Sequence, residues 1–156
     1  LFMPTFLLLL SFFCSFILPP KESPETWLIK SLETYFAKYD KIPLTKLCTP
    51  TYIAYKQDAL EIDYDGGLSL AAFKQKWKGK FDTKYAGVNQ GFFISGQDFG
   101  KIRVTICTFL RNDENGKWYK VVLRDDEFKV NYRREIRLIK QKDSYKIADV
   151  KEFNDL

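Results

Sequence analysis

The sequence predicts an α+β domain, with helices first and an antiparallel sheet last. Three observations carry this expectation. Between Ser23 and Phe81, apolar residues recur at helical spacing behind Ser or Thr caps. From Ile102 the period becomes two, with Ile102, Val104 and Ile106 alternating with Arg103, Thr105 and Cys107. Asn115-Gly116 then separates two strand-like runs, the dipeptide that suits a tight hairpin turn with positive φ at both positions.

Each element has its own signal. Ser23-Pro24-Glu25 supplies a cap, a first-turn proline and an acid at the positive end of the helix dipole. Trp27, Leu28, Leu32, Tyr35, Phe36 and Tyr39 follow on one face, so the first helix is predicted to run to Tyr39 and to end before Pro43. Thr49-Pro50 repeats the start signal and opens a second helix through Tyr52, Ile53, Tyr55, Ala59 and Leu60. Ser69 caps a third, with Leu70, Phe73, Trp77 and Phe81 on one stripe. Strands are predicted over Val88–Ile94, from Ile102, over Trp118–Arg124, over Asn131–Lys140 and over Tyr145–Val150. The run 131–140 separates Tyr132, Arg134, Ile136 and Leu138 on one face from Arg133, Glu135, Arg137 and Ile139 on the other. The simplest packing lays all three helix stripes on one face of a curved sheet and leaves the other face partly wet.

Ahead of these elements, Leu1–Leu18 contains no charged side chain and is followed by Pro19-Pro20. The apolar run from Phe6 has the length of a signal-peptide core and falls short of the roughly 20 apolar residues of a spanning helix. The division is therefore residues 1–20 as signal peptide or membrane anchor and 21–156 as a single α+β domain. An apolar leader packed against the domain is the remaining alternative. The expectation is an exported protein, periplasmic or secreted, touching a membrane only through a retained leader.

The net charge of +5 describes a moderately basic surface. It lacks the dense Lys/Arg cluster and motif of a nucleic-acid binder, so no nucleic-acid partner is expected. Removal of the leader would take Cys14 and leave Cys48 and Cys107, a candidate disulfide in an oxidising compartment or two small buried side chains.

The sequence contains no histidine. That excludes Ser-His and Cys-His nucleophile pairs, a histidine base and the commonest zinc ligand. A carboxylate base remains open, with Asp98, Asp63, Tyr132 and Tyr119 as the residue types of ketosteroid-isomerase-like chemistry. Residues 61–72 mimic a calcium loop at Glu61, Asp63, Asp65, Gly66 and Ser69. The bidentate acid expected at the last position is Ala72, so a capped turn is preferred. No catalytic residue, metal or cofactor is assigned. The aromatic content points instead to an apolar pocket, with Trp77, Phe92, Trp118, Tyr132, Asp98 and Arg134 as candidate lining. Arg103, Arg133, Arg134 and Arg137 could hold an anion if two share a concave face.

The order helix, helix, Asp-containing loop, helix, long strands, closed by Tyr145-Lys146-Ile147-Ala148-Asp149-Val150, resembles the nuclear-transport-factor-2-like (cystatin-like α+β cone) superfamily. The closing segment matches its aromatic-x-Ile-x-x-Val pattern. The likeness is greatest to small exported bacterial members of unknown function and covers about residues 24 to 153. It implies a cone of three N-terminal helices packed on a curved antiparallel sheet, and a homodimer formed through the sheet. Enzymes of that superfamily often use an Asp-His pair, which this sequence lacks. The leading expectation is thus a non-enzymatic exported domain binding a small molecule or a protein partner. The alternatives are a carboxylate-dependent isomerase- or lyase-like enzyme on a small apolar substrate, and an immunity-type or inhibitory interaction protein.

Overall fold

A computed structural model describes residues 21–154. The predicted leader, residues 1–20, lies outside them. Helix α1 (Pro24–Ala37) starts where expected, with Ser23 Oγ accepting the Thr26 amide at 3.1 Å. It buries Leu28, Leu32, Tyr35 and Phe36. It stops at Ala37 rather than Tyr39, which begins a 3-10 turn with its ring half exposed. Helix α2 (Pro50–Leu60) is capped by Thr49 and buries Tyr52, Tyr55, Lys56 and Ala59. Helix α3 (Leu70–Trp77) is capped by Ser69, whose Oγ accepts the Ala72 amide at 3.2 Å. Leu70 is exposed, contrary to its place on the predicted stripe. Phe81 lies beyond the helix, because Gly79 turns the chain at φ +77°, yet its ring stacks on Tyr55 at 4.1 Å.

Strands β1 (Ile102–Asp113), β2 (Gly116–Asp125), β3 (Asn131–Gln141) and β4 (Ser144–Glu152) form one curved antiparallel sheet in chain order. The hairpin between β1 and β2 differs from expectation by one residue. Glu114 and Asn115 form its loop, and Gly116 pairs with Asp113. A Cβ on Gly116 would collide with the Leu138 carbonyl, so glycine is needed here for close approach as well as for its φ of +148°.

The strand predicted over Val88–Ile94 does not form. Asn89 and Phe93 take positive φ, which no strand accommodates. Their segment instead follows the end of α2, with the Asn89 amide donating to the Ala59 carbonyl at 2.9 Å and its side-chain nitrogen to the Ile62 carbonyl at 2.9 Å.

Helix α1 packs on β1 and α2 meets β4, whereas α3 packs chiefly on α2. The expected packing of all three helices on the sheet therefore holds for two. The helix side of the sheet is filled by Tyr119, Val121, Leu123, Tyr132, Ile136, Leu138, Ile147 and Val150. Each such burial is worth on the order of 2 kcal/mol.

The candidate Cys48–Cys107 bridge does not form, and both thiols are free. Cys48 pairs with Ile147 at the β4 edge, while Cys107 lies on β1, the opposite edge. Three inter-strand spacings, roughly 14 Å, separate those edges, beyond the reach of a disulfide.

Candidate functional site

The predicted pocket residues do not converge. Trp77 belongs to an aromatic cluster with Tyr55 and Phe81, and its indole N–H donates to Asp58 Oδ2 at 2.8 Å. Trp118 lies across the sheet, outside the helix-side core. Tyr132 and Arg134 are neighbours, the guanidinium sitting 5.5 Å from the phenol ring. Phe92 packs edge-on to Tyr52, and Asp98 is exposed in the turn before β1. Around this loop lie two shallow grooves rather than an enclosed cavity. One of about 250 Å³ runs between Phe36, Tyr39, Phe92 and Phe99. The other, of about 360 Å³, is edged by Gly87, Gln90, Ser95 and Phe153.

The carboxylate-base constellation is likewise dispersed. Tyr119 and Tyr132 are separated by the β2 stretch from Tyr119 to Leu123, roughly 13 Å of strand. Asp63 sits in the turn between α2 and α3, with its amide bonded to the Leu68 carbonyl. Burial pushes the Cys48 thiol up to about 12 and the Cys107 thiol up to about 11, so neither is a thiolate nucleophile near neutral pH. Among the described residues, no group of acidic or thiol side chains is placed to hold a metal ion.

Arg134 has a different task from lining a pocket. It is 1% exposed. Its Nε donates to the Phe93 carbonyl at 2.8 Å and its Nη2 to Ser95 Oγ at 3.0 Å. Glu152, paired with Arg134 in register, lies 2.5 Å from Lys56 Nζ. Lys56 also donates to the Ala86 and Gly87 carbonyls at 2.8 and 2.9 Å. Three buried charges thereby fasten the irregular segment 86–95 to α2 and the sheet. Buried polar groups survive only when their hydrogen bonds are made, and this segment supplies the acceptors.

The far face of the sheet carries the assembled chemistry. Register aligns Arg111, Trp118, Arg137 and Asp149 in one row across all four strands. Trp118 is only 3% exposed, although it lies outside the core that the described helices cover. Cationic side chains cover it instead. Arg111, Lys151 and Arg137 place their charges 4.9, 5.1 and 5.4 Å from the indole ring. Each contact is worth roughly 0.5–1 kcal/mol where water reaches it. The indole N–H donates to Asp113 Oδ2 at 2.6 Å, which fixes the ring's rotation. Arg137 sits between Asp113 and Asp149, at 3.9 and 4.0 Å. Burial pushes the Asp149 carboxyl up to about 6, with Arg137 beside it pulling the other way.

Arg111 is neutralised by Glu135 at 2.9 Å, and Arg103 by Asp126. Among the described residues, no carboxylate forms an ion pair with Lys120, Arg133 or Lys151 on the same face. Lys120 and Arg133 are exposed and flank a shallow depression of about 280 Å³ bordered by Leu110 and Phe153. The arrangement is an aromatic-centred platform with an excess of positive charge.

The sequence predicted an apolar pocket and did not single out this platform. The alternation of β3 did separate Arg133, Glu135 and Arg137 from the core residues. What it lacked was the register that brings Trp118, Arg111 and Asp149 alongside them. Comparison with protein-family models, with curated proteins and with solved structures finds no match for the chain.

Proposed function

We propose that the protein is a non-catalytic binding module that docks an acidic protein partner on the far face of its sheet. The observation that carries this reading is the packed Trp118 row beside Lys120, Arg133 and Lys151, for which the described residues show no ion pair with a carboxylate, although Glu135 stands opposite Lys120 and Lys151 in register. A preorganised aromatic platform costs little entropy on binding, and its surplus charge attracts and orients an acidic surface. On the helix side most of the sheet is filled with core side chains. Export of the domain belongs to the same reading and is supported by the uncharged run Leu1–Leu18. So does membership of the nuclear-transport-factor-2-like superfamily, supported by element order and the Tyr145–Val150 segment.

Isothermal titration of a synthetic poly-glutamate peptide into the full chain tests the reading. Lys120→Glu combined with Arg133→Glu is expected to weaken binding by about tenfold or more. Lys74→Glu with Lys78→Glu, exposed on α3 and just past its end, leaves it nearly unchanged. Equal loss in both variants, or no binding by the parent chain, refutes the proposal.

A second reading rests on one groove of about 480 Å³ at the end of the sheet. Its walls include Pro24, Tyr119, Leu138 and Tyr145, and Lys21, Lys117 and Lys140 stand at its rim. Such a groove suits a small amphiphile with an anionic head. Laurate competing for that groove, seen as shifts at Tyr119 and Tyr145, supports this alternative; no shift there removes it.

A further inference from the structure

The two edges of the sheet are treated unequally. The β4 edge is closed by residues 47–49: the Thr49 amide donates to the Ile147 carbonyl and the Ile147 amide to the Leu47 carbonyl, both at 2.8 Å. Lys146 Nζ adds contacts to the Thr45 and Lys46 carbonyls. Among the described residues, the β1 edge is closed at one point, where Glu33 Oε1 accepts the Val104 amide at 2.9 Å. The hairpin loop closes its other end after Asp113. Between them lies the stretch 105–111, with Ile106 39%, Phe109 48% and Leu110 38% exposed. A long edge strand with exposed apolar side chains is a template for another strand.

We propose that this edge pairs antiparallel with the same edge of a second copy of the chain, centred on Thr108. Two constraints locate the centre, which lies near the middle of the open stretch. A two-fold axis perpendicular to a continuous sheet requires facing residues to lie on the same face, so the centre is a residue rather than a gap between residues.

Charge then selects among the allowed centres. With Thr108 opposite Thr108, Arg103 of one copy faces Asp113 of the other, Ile106 faces Leu110, and Cys107 faces Phe109. A centre at Cys107 would instead set Arg103 against Arg111, and like charges directly opposite are destabilising. The irregularities at Thr105 and Leu110 flank the centre. They bend the ends of the strand and leave Ile106–Phe109 regularly paired to β2, so the middle of the edge stays straight enough to be matched. Pairing covers all three exposed apolar side chains and joins the two far faces into one surface.

Light scattering on the full chain across a concentration series, with a Thr108→Cys variant under mild oxidation, tests the proposal. The expected result is a dimer that Thr108→Cys locks covalently. Arg103→Asp should raise the dimer dissociation constant by about tenfold, because it sets Asp against Asp twice per dimer. The swap Arg103→Asp with Asp113→Arg should restore it. Ile106→Lys, which leaves both charges in place, should also give monomer. A monomer at every concentration overturns the proposal, and so does a dimer that Thr108→Cys fails to cross-link or that Arg103→Asp leaves intact.

Discussion

Lys56 Nζ lies 2.5 Å from Glu152 Oε1, with both side chains almost wholly removed from water. The pair joins α2 to the last strand, and Lys56 also reaches the carbonyls of Ala86 and Gly87. Burial pulls the Lys56 ammonium below its ordinary pKa, while the Glu152 carboxylate opposes that fall. Removing Glu152 takes from Lys56 and Arg134 the carboxylate they share, and removing Lys56 takes from Glu152 its nearer cation, with the Arg134 guanidinium still 3.8 Å away. Lys56→Met is therefore expected to lower the unfolding free energy by about 3–5 kcal/mol in urea denaturation, and Glu152→Gln to be similarly costly. A loss under about 1 kcal/mol for either would contradict the role assigned to this pair.

Gly87 adjoins the same pair. Its φ is +58°, and a Cβ there would run into the Glu152 carboxylate. Gly87→Ala should destabilise by about 2 kcal/mol or more, through backbone strain and displacement of the carboxylate. Equilibrium denaturation checks this, with Gly79→Ala as the comparison. Gly79 has a similar φ of +77° but open space around it, so only the strain should be felt there.

Asp125 is fully buried at the end of β2. Its Oδ1 accepts the Glu127 and Phe128 amides, and its Oδ2 accepts the Gly100 amide, all at 2.9 Å. The carboxylate thus builds the turn between β2 and β3 and pins the entry to β1. Asp125→Ala orphans three donors and is expected to cost about 3 kcal/mol. Hydrogen exchange should accelerate at Gly100, Glu127 and Phe128 before it does so elsewhere.

Asp149 makes stability depend on pH in a defined direction. Its folded pKa of about 6 stands above the ordinary 3.8. The folded state therefore holds the proton more tightly than the unfolded state between those values. Its contribution is complete below the unfolded pKa and is lost as pH rises through about 6, by up to about 3 kcal/mol. Asp149→Asn cannot lose a proton, so its stability relative to the parent chain should rise from pH 4 to pH 7. Denaturation curves at several pH values measure that difference; a flat or falling difference would contradict the assignment.

The helix starts were legible because each is a local event. Ser23, Thr49 and Ser69 cap their own helices through side-chain bonds a few residues away. The strands from Ile102 onward were legible from their period of two. The Val88–Ile94 segment was misread because its apolar residues pack singly against the core from a positive-φ path rather than from a pleat. Lys56 left a signal that was not used: it lies four residues after Tyr52 and three before Ala59, on the buried face of α2. The platform around Trp118 depends on cross-strand register, and no periodicity within a single strand carries that information. The free thiols have the same origin, since the meander places Cys48 and Cys107 at opposite edges.

The central claim, that the far face of the sheet receives an acidic partner, is tested most directly by nuclear magnetic resonance. Isotope-labelled protein would be titrated with the poly-glutamate peptide while every assigned amide and the Trp118 indole are followed. Shifts concentrated at Arg111, Trp118, Lys120, Arg133 and Lys151, and suppressed by added salt, are the predicted result. Shifts spread over the helix surface around Lys74 and Lys78, or no shifts at all, would contradict it.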